Sequence, residues 1–139
     1  MTPRQSIESE CERRGSRAVI RGCVDLLEGR DVDDGLVMAL GGPAAETVLG
    51  GREGGKGGYW PRVWAARGLL YAWDDDATPA IVSAATDESW RVREMAAKVA
   101  ARHGLGAALS AMARLRADPV PRVRAAAERA LQRLTAAGA

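Results

Sequence analysis

Gly50 and Gly55 followed by Lys56 carry most of a phosphate-cradling motif. In such a loop, backbone amides and a lysine hold phosphates, a Ser or Thr holds magnesium, and a helix opens directly after a strand. Here Gly57 stands where the hydroxyl is needed, no strand pattern precedes it, and Gly57-Gly58-Tyr59 is not expected to start the required helix. Nucleotide binding is therefore not specified. Asp74-Asp75-Asp76 offers three carboxylates to a divalent cation, but adjacent side chains diverge and a cation needs ligands converging at fixed offsets. A helix-to-helix turn, with Asp76 or Thr78 capping the next helix, accounts for them. His103 is the only histidine, so neither a zinc site nor a Cys–His or Ser–His pair has a partner to be built from. No catalytic residue, metal ligand or cofactor is expected, and the chain reads as a non-enzyme.

The elements that would position any site repeat. Pro61-Arg62-Val63-Trp64-Ala65-Ala66-Arg67-Gly68-Leu69 aligns with Val92-Arg93-Glu94-Met95-Ala96-Ala97-Lys98-Val99-Ala100, and that with Val123-Arg124-Ala125-Ala126-Ala127-Glu128-Arg129-Ala130-Leu131, at an offset of 31 residues each time. A period of this size marks units too small to bury their own apolar faces, which stack on one another. Abundant Ala, no Phe and few β-branched residues favour helix. Helices are expected near 60–73, 79–85, 90–103, 105–116 and 121–136, with Thr78-Pro79 and Pro119/Pro121 marking starts and Gly104 a stop. Short connections between antiparallel helices give an all-α, right-handed α-solenoid.

The N-terminal part is less regular. Thr2-Pro3 suits a helix start and Gly15 a stop. Ser16 opens a better helix with an Ile20, Cys23, Val24, Leu27 stripe ending at Gly29, and Asp33 or Asp34 caps a short helix that Gly41-Gly42-Pro43 breaks. Residues 50–58 hold six glycines in nine and form the one plausible internal boundary, read as a flexible loop. The expected organisation is an N-terminal helical cap with a degenerate repeat at 1–49, the glycine-rich loop at 50–58 and regular repeats at 59–139.

At 100° per residue, Val92, Ala96, Val99, Ala100 and His103 fall on one side of their helix, and Arg91, Glu94, Lys98 and Arg102 on the other. The period carries that second set forward to Arg122, Ala125, Arg129 and Arg133 and back to Trp60, Val63, Arg67 and Tyr71. The expected concave face therefore holds Trp60, Arg67, Tyr71, Arg91, Glu94, Lys98, Arg102, Arg122, Arg129 and Arg133, either as a groove for an acidic ligand or as a solvated Arg-rich face. Trp60, just after the glycine loop, is the tryptophan best placed to act as an anchor, with core or helix-cap packing the favoured reading for any one of the four. Arg93 and Arg124 are set apart: each is expected to bond a turn aspartate, Asp87 or Asp118, as a structural ladder.

The formal charge of +2 hides an asymmetry. Residues 1–58 carry 8 basic and 10 acidic side chains, whereas 88–139 carry 10 basic and 4 acidic. Cys11 and Cys23 read as core thiols of a reducing compartment. With no signal-peptide pattern and no long apolar run, a cytoplasmic protein with no membrane association is expected.

Asp87 and Asp118 each precede an Arg (Arg93, Arg124) by six residues, with small residues and a closing apolar pair after it. This pattern resembles the HEAT repeat, and its short period resembles the form named after phycobilisome lyases, over about residues 60–139. Gly58-Tyr59-Trp60-Pro61-Arg62-Val63-Trp64 and Trp90-Arg91-Val92-Arg93-Glu94-Met95 look similar to small bacterial HEAT-like proteins. The first copy departs from the pattern, with Lys56 where the aspartate belongs, and its apolar stripe also fits one residue later as Val63, Ala66, Leu70 and Trp73. The resemblance implies a scaffold, a nucleic-acid binder or, rarely, an enzyme. The His-Glu ligand pairs of HEAT-like hydroxylases have no counterpart here, and Trp90 with Glu94 only faintly echoes the HEAT-like DNA glycosylases. A non-catalytic module binding a protein partner is the leading expectation, followed by nucleic-acid backbone binding by 88–139. Homodimerisation through the solenoid ends, where Leu134 and Ala136-Ala137 offer little polar capping, comes third.

Overall fold

The computed structural model describes residues 1–138, with side chains as far as Ala136; the Ala137 side chain and Ala139 lie outside the described residues. The described residues are helical, with no strand among them. They form two compact units, Met1–Ala77 and Thr78–Ala139.

The first unit contains α1 (Pro3–Arg14), α2 (Ser16–Leu27), α3 (Asp34–Gly41), α4 (Ala44–Leu49), a glycine-rich turn (Arg52–Gly57) and α5 (Tyr59–Gly68). Thr2 starts α1 with a reciprocal cap: its hydroxyl accepts from the Gln5 amide, and its own amide donates to Gln5 Oε1. Gly15, at φ 91°, turns the chain from α1 into α2. The buried stripe of α2 is Val19, Ile20, Cys23 and Leu26; Val24 and Leu27 of the expected stripe are only half-buried. Burial pushes the Cys23 thiol up to about 12. Asp33 is the cap of α3, accepting the Leu36 amide at 2.9 Å.

The division into units does not fall at the glycine-rich stretch, which lies inside the first unit. Lys56 ties it there: its Nζ donates to Asp34 Oδ1 (2.7 Å) and the Val32 carbonyl (3.0 Å) and pairs with Asp31 (2.9 Å). The expected helix over 60–73 also ends early, at Gly68. A Cβ there would meet Leu40 Cδ2 at 2.9 Å, Cys23 Sγ at 3.0 Å and Ile7 at 3.4 Å, so α1, α2 and α3 converge on a position that only glycine fills without displacing them. The chain then tightens, with Leu70 and Tyr71 amides donating three residues back, and Tyr71 and Trp73 leave the α5 stripe.

The second unit contains α6 (Thr78–Ala84), α7 (Trp90–His103), α8 (Leu109–Leu115) and α9 (Pro121–Gly138). The helices α5, α7 and α9 begin at Tyr59, Trp90 and Pro121, one 31-residue period apart. Burial keeps the same step: Pro61, Val92 and Val123 are all buried, as are Trp64, Met95 and Ala126, and Gly68, Val99 and Ala130. This settles the register of the first copy, because of the alternative stripe only Ala66 is buried. His103, expected in the core, is half-buried at the end of α7, where Gly104 (φ 63°) stops the helix.

Three carboxylates, Glu10 within α1 and Asp33 and Asp118 across elements, make acid-sensitive bonds. Arg14 bonds Asp33 and, with the Leu36 amide, holds its carboxyl near 2. Arg13, with Arg14, holds Glu10 below the usual carboxylate range against the opposing effect of burial. Burial pushes Asp118 up, but Arg93 and the Val120 amide prevail and leave it lowered. Each folded value lies below the unfolded one, so the stabilisation is complete above the unfolded pKa and disappears as pH falls through the folded value. Thermal midpoints should therefore hold from pH 7 to about 5 and drop steeply between about 4 and 2. Arg14→Gln should shrink that drop, as read by circular dichroism melts.

Candidate partner-binding surface

The turns that start α7 and α9 are built alike. Asp87 Oδ1 accepts the Ser89 amide at 2.8 Å, and Asp118 Oδ1 accepts the Val120 amide at 2.9 Å. Arg93 spans the two turns. Its Nε and Nη2 donate to the Asp118 carboxylate (2.8 and 3.3 Å), while its Nη1 donates to the Asp87 and Glu88 carbonyls (2.8 and 3.2 Å). Arg124 donates to the Asp118 carbonyl at 2.7 Å. Both guanidiniums are committed within the scaffold.

Three further hydrogen bonds join α7 to α9. Arg122 Nε and Nη2 donate to Glu94 at 2.9 and 3.1 Å, beside the helix starts, and Arg133 Nη2 reaches the Arg102 carbonyl at 3.4 Å near the far end of α7. The two helices therefore run alongside each other in the same sense, start beside start. Glu94 departs from its expected place on the solvent strip. It is 7 % exposed, because a salt bridge from Arg122, itself well exposed, covers it. The Trp90 ring lies under two guanidiniums, Arg91 at 4.5 Å and Arg122 at 5.2 Å. Trp90 and Glu94 are thus bound up with Arg122. Lys98 is half-buried, and Arg102 and Arg129 are exposed; among the described residues these three side chains make no hydrogen bond or ion pair.

In the first unit the expected face residues separate. Arg67 turns inward: its Nη2 donates to the Leu40 carbonyl at 2.8 Å, its Nε is buried without a partner, and burial lowers its pKa. It caps the C-terminal end of α3, where a cation is favoured, and is not a surface cation. Tyr71 is half-buried beyond the end of α5. Trp60 is half-buried and stacks with Trp64, their ring centroids 6.3 Å apart at an interplanar angle of 24°. With Ala44, Thr47, Val48 and Glu53 these two rings line a cavity of about 300 Å³. The residue types gave no sign of this cavity, since its walls come from three separate segments.

The motifs weighed for chemistry resolve into structure. Lys56 is engaged by carboxylates, as described, and α5 does begin at Tyr59, three residues beyond it. Asp74 Oδ1 accepts the Asp76 amide, and Trp73 Nε1 donates to Asp75, so the aspartate run builds the turn before α6. Among the described residues no group of three or more His, Cys, Asp or Glu is placed to hold a metal, and no helix is long and apolar enough to cross a membrane.

Helices of matching register repeated at one period, two of them joined through an Asp–Arg turn, define a helical-repeat protein. The family profile of HEAT repeats matches residues 59–132, more than half of the chain, and the chain belongs to that family. No curated protein and no solved structure matches it.

Proposed function

We propose that the chain is a non-catalytic module of a reducing, cytoplasmic setting that binds a protein partner through the cations of α7 and α9. HEAT repeats generally mediate protein–protein interaction and typically serve as non-catalytic scaffolds. The observation that carries the reading is the contrast among the basic side chains of the second unit. Arg93, Arg122 and Arg124 are committed to protein groups, whereas Lys98, Arg102 and Arg129 have no side-chain partner among the described residues. Arginine is enriched at interfaces, and an acidic partner segment is the complement of a row of cations. We take this surface as the concave side of right-handed, antiparallel repeats of the short-period form. In the test, tagged wild-type chain and Lys98→Glu/Arg129→Glu are used to capture partners from nuclease-treated cell extract. Loss of a captured protein in the variant with unchanged helicity is expected; equal capture would contradict the surface.

The excess of 10 basic over 4 acidic side chains in 88–139 favours one other reading, binding to nucleic-acid backbone. Affinity for a duplex would then fall with salt at a log–log slope of about −0.9 per phosphate. A flat slope, or no mobility shift in low salt, removes this reading.

A further inference from the structure

The geometry points to the cavity between α4, the glycine-rich turn and the start of α5 as a site that takes a basic side chain of a partner protein, an alkylammonium such as that of lysine. Trp60 and Trp64, one helical turn apart, supply two ring surfaces, and Tyr59 stands edge-on to Trp60 at 5.1 Å. Trp64 is nearly buried and packed against Gly41, so its ring is a fixed wall rather than an adaptable one. Ala44, Thr47 and Val48 add small walls without charge. Glu53 closes the set. Its carboxylate makes no hydrogen bond or ion pair among the described residues. It is also the only non-glycine with positive φ among them (φ 54°, ψ 39°), in a stretch where Gly51, Gly54 and Gly55 take the other left-handed positions.

The charge logic admits one class of occupant. Aromatic faces are negative and attract cations. Glu53, exposed and lining the same cavity, repels an anion and offers a neutral apolar group no favourable contact. The acidic balance of residues 1–58, with 10 acidic against 8 basic side chains, adds a field of the same sign. An alkylammonium meets every wall: methylenes lie on the indoles and the charge faces Glu53.

This inference rests on the reading of the chain as a partner-binding module, but it is tested apart from the α7/α9 surface. A short peptide with a central lysine, its trimethyllysine form and its norleucine isostere are titrated into ¹⁵N-labelled protein while the indole N–H signals are followed. Saturable shifts of the Trp60 and Trp64 signals with the two cationic peptides are expected, with the Trp90 signal unmoved. The norleucine peptide should bind at least about tenfold more weakly, and Glu53→Gln should weaken lysine binding about fivefold. Glu53→Gly, which suits the backbone conformation, should stay folded and weaken it equally. Equal binding of norleucine, or full binding by both Glu53 variants, overturns the site. Binding of tetramethylammonium chloride without binding of either cationic peptide overturns the partner side chain as its occupant.

Discussion

Arg93→Ala is expected to destabilise the second unit by ~3 kcal/mol, the largest effect of any single charged side chain in the chain. Removing the guanidinium takes two hydrogen bonds from Asp118, whose side chain is only 5 % exposed, and leaves that carboxylate with the Val120 amide alone. It also frees the Asp87 and Glu88 carbonyls. An unpaired charge at such a site costs far more than the intact pair contributes. The double variant Arg93→Met/Asp118→Leu should therefore recover much of the loss, and a urea-unfolding cycle over the two positions should show strong coupling. By contrast, Arg4→Ala removes an exposed, solvent-screened pair with Glu8 and should leave the urea midpoint nearly unchanged. If Arg93→Ala proved as mild as Arg4→Ala, the Asp–Arg turn would not be what joins α7 to α9.

Gly41→Ala is expected to destabilise the first unit by ~2 kcal/mol, against the sign that helix propensity alone would give. Gly41 lies in the last turn of α3 with an ordinary negative φ, so alanine there should gain about 1 kcal/mol from propensity. Its Cβ, however, would sit 2.5–2.8 Å from Cε3, Cζ3 and Cδ2 of Trp64. That ring is buried, and overpacking against a rigid aromatic costs more than propensity returns. Combining Gly41→Ala with Trp64→Phe should cost less than the sum of the two changes, because the smaller ring vacates the contact. Denaturant midpoints of the four proteins check this, and a stabilised Gly41→Ala would show that Trp64 is not held there.

The period of the repeat was legible because the columns of Pro61, Val92 and Val123 bury the same face in each copy, and that requirement constrains residue type. The Asp–Arg turns were legible in part: the arginine six residues after each turn aspartate bonds that aspartate's backbone carbonyl, a local arrangement, whereas the carboxylate that Arg93 takes is that of Asp118, 25 residues on. Glu94 could not be placed this way. Helical geometry turns it outward, and only Arg122, 28 residues away, covers it. Arg67 misled for the opposite reason: its place on the repeat is that of Lys98, but the end of α3 lies within its reach and takes its guanidinium. At the early end of α5, Ile7, Cys23 and Leu40 meet at Gly68, a convergence that no window of sequence contains. The glycine-rich stretch read as a boundary because composition does not reveal that Lys56 is clasped by Asp31 and Asp34.

The most direct measurement is the dipolar coupling between nitroxides at positions 98 and 129, on Lys98→Cys/Arg129→Cys in a Cys11→Ser/Cys23→Ala background. Packed helix axes lie about 8–10 Å apart. If matching positions of α7 and α9 share one side, the doubly labelled chain should show strong broadening relative to the two singly labelled chains. A double-label spectrum equal to the sum of the single ones would place the two cations on different sides, and no common partner surface could be built from them.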